Sequence, residues 1–310
     1  MTENICDSYT SIFQYGFIHP CEDVFIRYGV ARPHKKSARA VLLLLHGRGE
    51  FMEKYQHIVK DLIRKDFIVI SMDWRGQGLS CRELGNRQKG HAENFENYIN
   101  DLECLYSEII APYRLPVHIL AHSMGGHLAL RFMSLYPVKI EKAVLTSPMI
   151  DIALPEYFRP AAGIIAGVLG KSSLFSGCYA FGCCDYTAEK MDFNTNRVSH
   201  DPENYMILHN EIEKNPDLAI GGPTWGWLNA AFRSIRKLKR TDIIKKIAVP
   251  VLMLTAGSDT VVSVKAQADI CRRLPKCSRV VIDNAFHELL FETSDITCQV
   301  WNAFDSFVGS

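Results

Sequence analysis

Ser123 lies in a stretch whose residue types and order are typical of a catalytic nucleophile. An apolar, strand-like run from Val117 to Ala121 leads into it, and a helical segment begins at Gly125. A serine on such a turn has a strained backbone that exposes its hydroxyl at the carboxyl end of the sheet. The turn needs small residues at Ala121 and Gly125, and Ala121 departs from the usual glycine. We predict that Ser123 is a nucleophile, the alternative being a cap of the following helix.

A serine hydroxyl becomes a strong nucleophile when a base takes its proton and an acid orients that base. On this kind of fold the chain order is serine, acid, histidine, and His287 is the only histidine after His209. Two acids are candidates: Asp259, in a loop after an apolar strand, and Asp283, shortly before His287. Sites of open α/β sheets form in loops after parallel strands, which favours Asp259. Asp283 is typical of a turn residue.

The negative charge on an attacked carbonyl oxygen needs preorganised N–H donors. The backbone N–H of Met124, directly after the serine, is the expected first donor. The second is expected from the loop His46–Glu50 (HGRGE), which follows the apolar run Ala40–Leu45. Its glycines let the backbone turn close to a substrate. We therefore predict the backbone N–H of Arg48 as the second donor.

Apolar, strand-like runs alternate with helical segments along most of the chain. The predicted strands are Val24–Arg32, Ala40–Leu45, Phe67–Met72, Val117–Ala121, Ala143–Thr146, Val249–Thr255 and Ser278–Ile282. The predicted helices are Tyr55–Lys65, Phe95–Ile110, Gly125–Tyr136, Val264–Leu274 and Leu289–Phe307. Such alternation predicts an α/β fold with a mostly parallel sheet. It stops in the middle of the chain, so we predict a core of residues 1–148 and 240–310 with residues 149–239 inserted as a helical cap.

The charge balance excludes several classes of partner. The 310 residues include 35 lysines and arginines and 34 aspartates and glutamates. This balance leaves no basic footprint for nucleic acid and no polybasic signal for an anionic membrane. No apolar run reaches the ~18 residues that a membrane-spanning helix needs.

The segment Asp73–Ser80 lacks the lysine of a phosphate loop, so we expect it to form a structural turn.

The cysteines and the first residues suggest a compartment. The ten cysteines are scattered, unlike those of a small disulfide scaffold. Cys178, Cys183 and Cys184 are close together, but no histidine follows at the spacing of a metal site. The N-terminus lacks the basic and apolar regions of a secretory signal. We expect a cytoplasmic protein with reduced thiols and with no metal or cofactor.

The predicted cap contains one strongly amphipathic helix, which begins at Trp225 after Thr224 as N-cap. Trp225 and Phe232 share its apolar face. We expect these two rings to line an acyl pocket, the alternative being a face that simply packs on the core. The apolar run Ala161–Leu169 is a second candidate wall, or a surface for transient contact with a membrane.

Several stretches together resemble the α/β-hydrolases of the lysophospholipase and monoacylglycerol-lipase-like group, which is also catalogued with the serine aminopeptidases. They are His46–Tyr55 (HGRGEFMEKY), Asp73–Ser80 (DWRGQGLS), Ala121–Gly126 (AHSMGG), Gly257–Asp259 (GSD) and His287–Glu288 (HE). The resemblance implies the α/β-hydrolase fold with an eight-stranded sheet and a lid. It also implies hydrolysis of monoacyl lipid esters, Ser123, Asp259 and His287 as the triad, and Arg48 and Met124 as oxyanion donors.

Three alternatives stay open at this point. The first is an aminopeptidase with the same triad, which would need an acid to hold the substrate amine. The acids of the predicted cap that could do so are Glu156, Asp185, Glu189, Glu211 and Glu213. The second is dehalogenase or epoxide chemistry, which needs a carboxylate where this chain has Ser123. The third is a non-catalytic binding protein, against which the complete triad argues. The expected partner is a small lipid ester.

Overall fold

The centre of the molecule is one mostly parallel sheet. The computed structural model describes residues 12–33, 37–136, 139–155, 157, 159–190 and 192–309. The strands within them are β1 Gln14–Cys21, β2 Val24–Ala31, β3 Ala40–Leu45, β4 Phe67–Met72, β5 Val117–His122, β6 Lys142–Thr146, β7 Val251–Ala256 and β8 Cys277–Ile282. They form an 8-stranded sheet in the order β1-β2-β4-β3-β5-β6-β7-β8. β2 pairs antiparallel with β1 and β4, and the other pairs are parallel. The predicted α/β fold is confirmed.

Helices cover both faces of this sheet. The α-helices of the described residues are α1 Gln56–Arg64, α2 Phe95–Leu105, α3 Met124–Leu135, α4 Arg159–Leu169, α5 Pro202–Lys214, α6 Trp225–Leu238, α7 Thr241–Ile244, α8 Val264–Arg273 and α9 Ser294–Val308. The odd-numbered side chains of β3 pack with α2, α3, α6 and α8, whereas its even-numbered ones pack with α1 and α9. Because both faces are covered, β3, β4, β5 and β7 are buried along their whole length, as their continuous apolar sequences require.

Two elements differ from the sequence-based prediction. Strand β1 was not predicted, because it is an exposed edge strand with a mixed polar and apolar sequence. The predicted helix Leu289–Phe307 is instead a 3-10 turn, Leu289–Phe291, followed by α9. Glu292 separates the two, and its buried carboxylate accepts the backbone N–H groups of Phe286 and His200. These hydrogen bonds hold the chain in a non-helical turn at this point.

The expectation of reduced thiols is wrong at one pair. Cys271 in α8 and Cys277 at the start of β8 form a disulfide. A short connection between the two elements brings their Cα atoms to 5.4 Å, which is within the ordinary range for a disulfide. Spacing in the sequence did not show that the end of α8 faces the start of β8.

The residues of the predicted cap lie between β6 and β7. It contains α4, α5 and α6, and Thr224 caps α6 by accepting the N–H of Trp227 at 3.2 Å, as predicted. Its backbone is tied to the core by bridges from Pro223 to Gly90 and from Ile152 to Val262. The boundaries of the cap stay a prediction. In the described part of the chain, no helix combines the length and apolar character that crossing a bilayer requires.

Candidate active site

Ser123 occupies a strained turn between β5 and α3. Its φ of 50° and ψ of −115° lie outside the favoured regions for an L-residue. The turn is held by its own backbone, because the Ser123 N–H donates to the Thr146 carbonyl at 3.0 Å. The Ser123 carbonyl accepts the N–H groups of His127 at 3.2 Å and Met149 at 2.9 Å. These three hydrogen bonds hold Ser123 in the strained backbone conformation that exposes its hydroxyl.

The glycines after Ser123 are required by close approach of other backbone. A Cβ on Gly125 would lie 2.5 Å from the Leu45 carbonyl oxygen. A Cβ on Gly126 would lie 2.8 Å from the Cβ of Pro148. Ala121, by contrast, is a fully buried residue of β5 in register with Leu45. The alanine that departs from the usual pattern is thus accommodated inside the sheet.

His287 joins Ser123 to Asp259. Its Nε2 lies 2.9 Å from Ser123 Oγ, and its Nδ1 lies 2.7 Å from Asp259 Oδ2. The other carboxylate oxygen of Asp259 accepts the N–H groups of Val261 at 2.8 Å and Val262 at 3.0 Å. Asp259 is therefore oriented from both sides, and a carboxylate at Nδ1 favours the tautomer whose Nε2 accepts the serine proton. The structure brings these three side chains together.

Asp283, the other candidate acid, lies in a different environment. It is exposed, next to Asn284, whose φ of 59° marks a tight turn after β8. This is the turn position that its sequence context indicated. The structure therefore places Asp259, and not Asp283, at the histidine.

The loop that carries His287 is fixed on both sides. The Phe286 N–H donates to Glu292 Oε1 at 2.7 Å, and the Glu288 N–H donates to the Val198 carbonyl at 2.8 Å. Glu292 also binds His200, whose Nδ1 lies 2.9 Å from the carboxylate. Glu292 was missed by sequence reasoning, because a buried acid within an apolar run carries no motif.

The loop after β3 passes directly beside the serine. A Cβ on Gly47 would lie 3.3 Å from the Cβ of Ser123. The Gly47 N–H donates to Glu50 Oε2 at 2.5 Å, and the Gly49 N–H donates to Gln77 Oε1 at 2.6 Å. The N–H groups on either side of Arg48 are therefore engaged by side chains that hold the loop in place. The roles of Arg48 and Met124 as oxyanion donors stay predictions.

The Asp73–Ser80 turn supports this loop from behind. Asp73 is fully buried, and its carboxylate accepts the N–H groups of Met52 at 3.0 Å and Leu79 at 2.9 Å. Gln77, which holds Gly49, belongs to the same turn. The predicted structural role of this segment is confirmed, and its glycines serve a tight turn rather than a phosphate.

A buried ion-pair network lies beside the site and was not predicted. Lys54 Nζ lies 2.6 Å from Glu50 Oε1 and 2.7 Å from Glu288 Oε2, and Tyr55 donates its hydroxyl to Glu50 at 2.8 Å. Burial alone would raise the pKa of Glu50, but the Lys54 ammonium beside it holds that pKa well below its usual range. Burial would likewise lower the pKa of Lys54, but the two carboxylates keep it raised. Glu50 and Lys54 are therefore both charged at neutral pH.

His122 is a second histidine beside the site, but it is not an alternative base. Its ring centroid lies 4.8 Å from that of His287. Burial lowers the pKa of His122 to about 3, so its ring is neutral at physiological pH. Its Nδ1 lies 3.2 Å from the Thr146 carbonyl oxygen, away from Ser123 Oγ. The geometry thus leaves His287 as the histidine that contacts the serine.

Two cavities adjoin each other, and one of them contains the serine. One, of about 290 Å³, is lined by Ser123 and His287 and, from α6, by Trp227 and Leu228. Polar residues of the core, namely Arg48, Glu50 and Glu288, line only this cavity. The second, of about 240 Å³, is lined almost wholly by apolar residues, including Trp225 and Phe232. Leu228 and Ile152 line both cavities, so the serine cavity, which also contains charged residues, adjoins a wholly apolar one.

The predicted pocket residues Trp225 and Phe232 therefore lie next to the serine cavity, not in it. Trp227, which does line the serine cavity, was missed. Residues two apart on a helix point in directions about 200° apart, so Trp225 and Trp227 face different surroundings. The binding role of Trp225 and Phe232 stays a prediction.

This arrangement of sheet and site defines an α/β-hydrolase. A serine sits on a strained turn after a parallel strand, and a histidine joins it to a buried aspartate. The chain belongs to the family described as serine aminopeptidase S33, whose model matches residues 36–294.

Similar proteins narrow the class. A probable lysophospholipase L2 from Haemophilus influenzae is 30% identical over 276 residues, covering 88% of this chain and 85% of that protein. Lysophospholipase L2 from Escherichia coli is 29% identical over 266 residues, covering 81% of this chain and 75% of its own. A soluble variant of monoglyceride lipase from Saccharomyces cerevisiae, solved with a substrate analog, has the same fold, with a TM-score of 0.77 and 19% identity over 97% of this chain and 96% of that one. The protein is a carboxylic ester hydrolase.

Proposed function

We propose that the protein hydrolyses esters of monoacyl lipids, either lysophospholipids or monoacylglycerols, through Ser123, His287 and Asp259. The observation that carries the proposal is the continuous hydrogen-bonded chain from Asp259 to His287 to Ser123, with distances of 2.7 and 2.9 Å. Lysophospholipase is also what the relatives from Haemophilus influenzae and Escherichia coli are called, which supports the same substrate class.

The proposed reaction has two steps. His287 Nε2 takes the proton of Ser123 Oγ while this oxygen attacks the ester carbonyl carbon, and the N–H groups of Arg48 and Met124 stabilise the oxyanion. The intermediate collapses when His287 gives the proton to the leaving alcohol, which leaves an acyl group on the serine. His287 then takes a proton from water, whose oxygen attacks the acyl carbon, and the proton returns to Ser123 as the fatty acid leaves. Asp259 stabilises the imidazolium in both steps.

The two cavities suit the two parts of such a substrate. The apolar cavity with Trp225 and Phe232 would hold the acyl chain, because burying each methylene contributes about 0.8 kcal/mol. The serine cavity, which Arg48, Glu50 and Glu288 also line, would hold the alcohol part, which needs hydrogen-bonding partners. Both cavities are lined by Ile152 and Leu228, so an ester with its carbonyl at Ser123 would extend its acyl chain past these two side chains.

An aminopeptidase reaction is the weaker alternative. It needs a carboxylate that is free to bind the substrate's ammonium group. Glu50 and Glu288 line the serine cavity, but Lys54 is paired with both of them. Of the cap acids considered for this role, the four within the described residues lie outside the walls of the cavity, and Glu156 falls outside the described residues. The charge distribution therefore favours an ester.

Transient contact with a membrane surface is part of the proposal. Ile164 and Val168 lie one turn apart on α4, and each is 67% exposed. Exposed apolar side chains on one helix face suit contact with lipid. Replacing both with serine should reduce co-sedimentation with phosphatidylcholine vesicles. Unchanged co-sedimentation would remove this element and leave the hydrolase proposal intact.

Substitution of the serine tests the nucleophile. Ser123→Ala should lower hydrolysis of a p-nitrophenyl ester at least about 1000-fold and abolish labelling by a fluorophosphonate. Ser134→Ala is the control, because Ser134 is a buried serine of α3 whose hydroxyl donates to the Arg131 carbonyl at 2.7 Å. It should keep both properties. Normal turnover by Ser123→Ala would overturn the proposal.

Two further measurements separate the alternatives. Asp259→Asn should lower kcat by about 10⁴-fold, whereas Asp283→Asn should leave it unchanged, and the reverse result would exchange their roles. A panel of monoacylglycerol, lysophospholipid and proline naphthylamide then identifies the substrate class. Turnover of the naphthylamide alone would establish the aminopeptidase instead.

A further inference from the structure

The guanidinium of Arg48 is a cation without a counter-charge beside the serine cavity. Its Nη2 donates to the Gly221 carbonyl at 2.8 Å, and its Cζ lies 5.2 Å from the Trp227 ring centroid. Its Nε is buried and has no hydrogen-bond acceptor. Among the described residues, none of the carboxylates forms an ion pair with it. Lys54, by contrast, is paired with the two carboxylates that line this cavity.

An uncompensated charge of this kind carries an energetic cost. Burial lowers the pKa of Arg48, which shows that its surroundings disfavour the charged form. One carbonyl and the face of one tryptophan recover only part of the lost hydration. An anion bound from the cavity would supply the missing partner and two or more charge-assisted hydrogen bonds.

The position of Arg48 fits the alcohol side of an ester. Arg48 lines the serine cavity and not the apolar one. Its backbone N–H is the predicted oxyanion donor, so the ester carbonyl would lie at one end of this residue and the guanidinium at the other. Two covalent paths have the same number of bonds. One runs from an arginine's backbone nitrogen to its guanidinium carbon, and the other runs from the ester carbonyl carbon of a lysophospholipid to its phosphorus. Both spans therefore have similar reach at ordinary bond lengths.

We propose that the Arg48 side chain binds the phosphate of a lysophospholipid head group and thereby favours this substrate over a monoacylglycerol with the same acyl chain. The inference rests on the proposed function, in which Ser123 attacks the ester. A phosphate suits the site because the planar guanidinium presents paired donors that match two phosphate oxygens. A monoacylglycerol has only a hydroxyl at the corresponding position and leaves the cation uncompensated.

The test is the ratio of kcat/KM for a lysophosphatidylglycerol to kcat/KM for the monoacylglycerol of the same acyl chain. In Arg48→Gln this ratio should fall about 10–100-fold, the equivalent of a lost hydrogen bond to a charged group. Any disturbance of the predicted oxyanion loop lowers kcat/KM for both substrates, so its effect cancels in the ratio. The ratio for Arg48→Lys should lie between those of the wild type and Arg48→Gln, because lysine keeps the charge but loses the paired donors. Arg233→Gln, which removes an exposed arginine of α6, is the control and should keep the wild-type ratio.

A second measurement uses the wild-type protein alone. Glycerol 3-phosphate should inhibit hydrolysis of a p-nitrophenyl ester competitively, and glycerol at the same concentration and ionic strength should not. Equal inhibition by both, or an unchanged ratio in an Arg48→Gln protein that still labels with fluorophosphonate, would overturn the phosphate site. If Arg48→Gln does not fold, the competition experiment and Arg48→Lys decide. A wild-type protein that hydrolyses no ester would instead overturn the proposed function itself.

Discussion

The Lys54 ammonium lies 2.7 Å from the Glu288 carboxylate, and this contact joins the turn Met52–Tyr55 to the loop that carries His287. Glu288 directly follows His287 in the chain. Through Glu50, the same ammonium reaches the Gly47 N–H of the predicted oxyanion loop. One buried cation thus links the segment that holds the base to the segment that would hold the oxyanion, and both are needed in register for acyl transfer.

Removal of this cation should cost both stability and activity. Lys54→Met leaves the carboxylates of Glu50 and Glu288 without their counter-charge, so we expect a loss of about 3–5 kcal/mol in the free energy of unfolding. Hydrolysis of a p-nitrophenyl ester by the folded fraction should fall at least about tenfold, because the two loops are no longer joined. Urea unfolding and steady-state kinetics measure the two effects. Lys60→Met, at an exposed position of α1, is the control and should change neither. Wild-type stability of Lys54→Met would contradict this account.

Glu292 should act as a positioning residue for His287. Its carboxylate accepts the Phe286 N–H at 2.7 Å and the His200 N–H at 2.9 Å, so it holds both the histidine loop and the chain segment packed on it. Glu292→Gln keeps the size but replaces an acceptor oxygen with a donor. We expect kcat to fall about 10–100-fold with little change in KM, because the base shifts while the cavity remains. Glu213→Gln, an exposed acid of α5, should have no effect. A rise in KM at constant kcat would assign Glu292 to substrate binding instead.

Most of the sheet and the three side chains at the serine could be predicted from the sequence because each depends on local signals. A buried strand is an apolar run in the sequence. Ser123 directly follows such a strand, and Asp259 and His287 lie in the loops after β7 and β8. The contacts of Lys54 with Glu288 and of Glu292 with His200 could not be predicted in this way. They join segments far apart in the chain, and charged residues of these types are usually solvated.

The faces of α6 show a second limit of sequence reasoning. Amphipathic spacing correctly identified an apolar face with Trp225 and Phe232, and Thr224 as its cap. Both Trp225 and Trp227 are buried, however, and they line different cavities. Which of them meets Ser123 depends on how the helix docks on the core, and a periodicity does not contain that information.

Buried neutral histidines should make the protein acid-sensitive. Burial lowers the pKa of His127 to about 3 from an ordinary value of 6.5. Between these values the unfolded chain binds a proton that the folded chain does not, so the stability is complete above pH 6.5 and is lost as the pH falls towards 3. Each such histidine should contribute a slope of about 1.4 kcal/mol per pH unit in this window.

His127→Asn isolates this contribution. The Nε2 of His127 lies 2.8 Å from Ser234 Oγ, and asparagine removes the titrating group. The free energy of unfolding is measured in urea between about pH 6 and pH 4.5. Its slope against pH should be smaller in this variant than in the wild type by the contribution of one proton, about 1.4 kcal/mol per pH unit. His19→Asn, at an exposed position, should keep the wild-type slope. An identical slope in His127→Asn would mean that His127 is protonated in the folded protein.

Two glycine substitutions should change stability in opposite directions. A Cβ at Gly125 would lie 2.5 Å from the Leu45 carbonyl oxygen, so Gly125→Ala must displace either the oxyanion loop or the start of α3. We expect a destabilisation of about 1–3 kcal/mol together with loss of fluorophosphonate labelling at Ser123. Gly163 lies inside α4 with open space where a Cβ would stand, so Gly163→Ala should stabilise the protein by about 0.5–1 kcal/mol and keep the labelling rate. Thermal unfolding and labelling kinetics of the two variants test this. Normal labelling of Gly125→Ala would show that the turn at Ser123 tolerates a side chain there and that the close packing on Leu45 is not needed to present the serine.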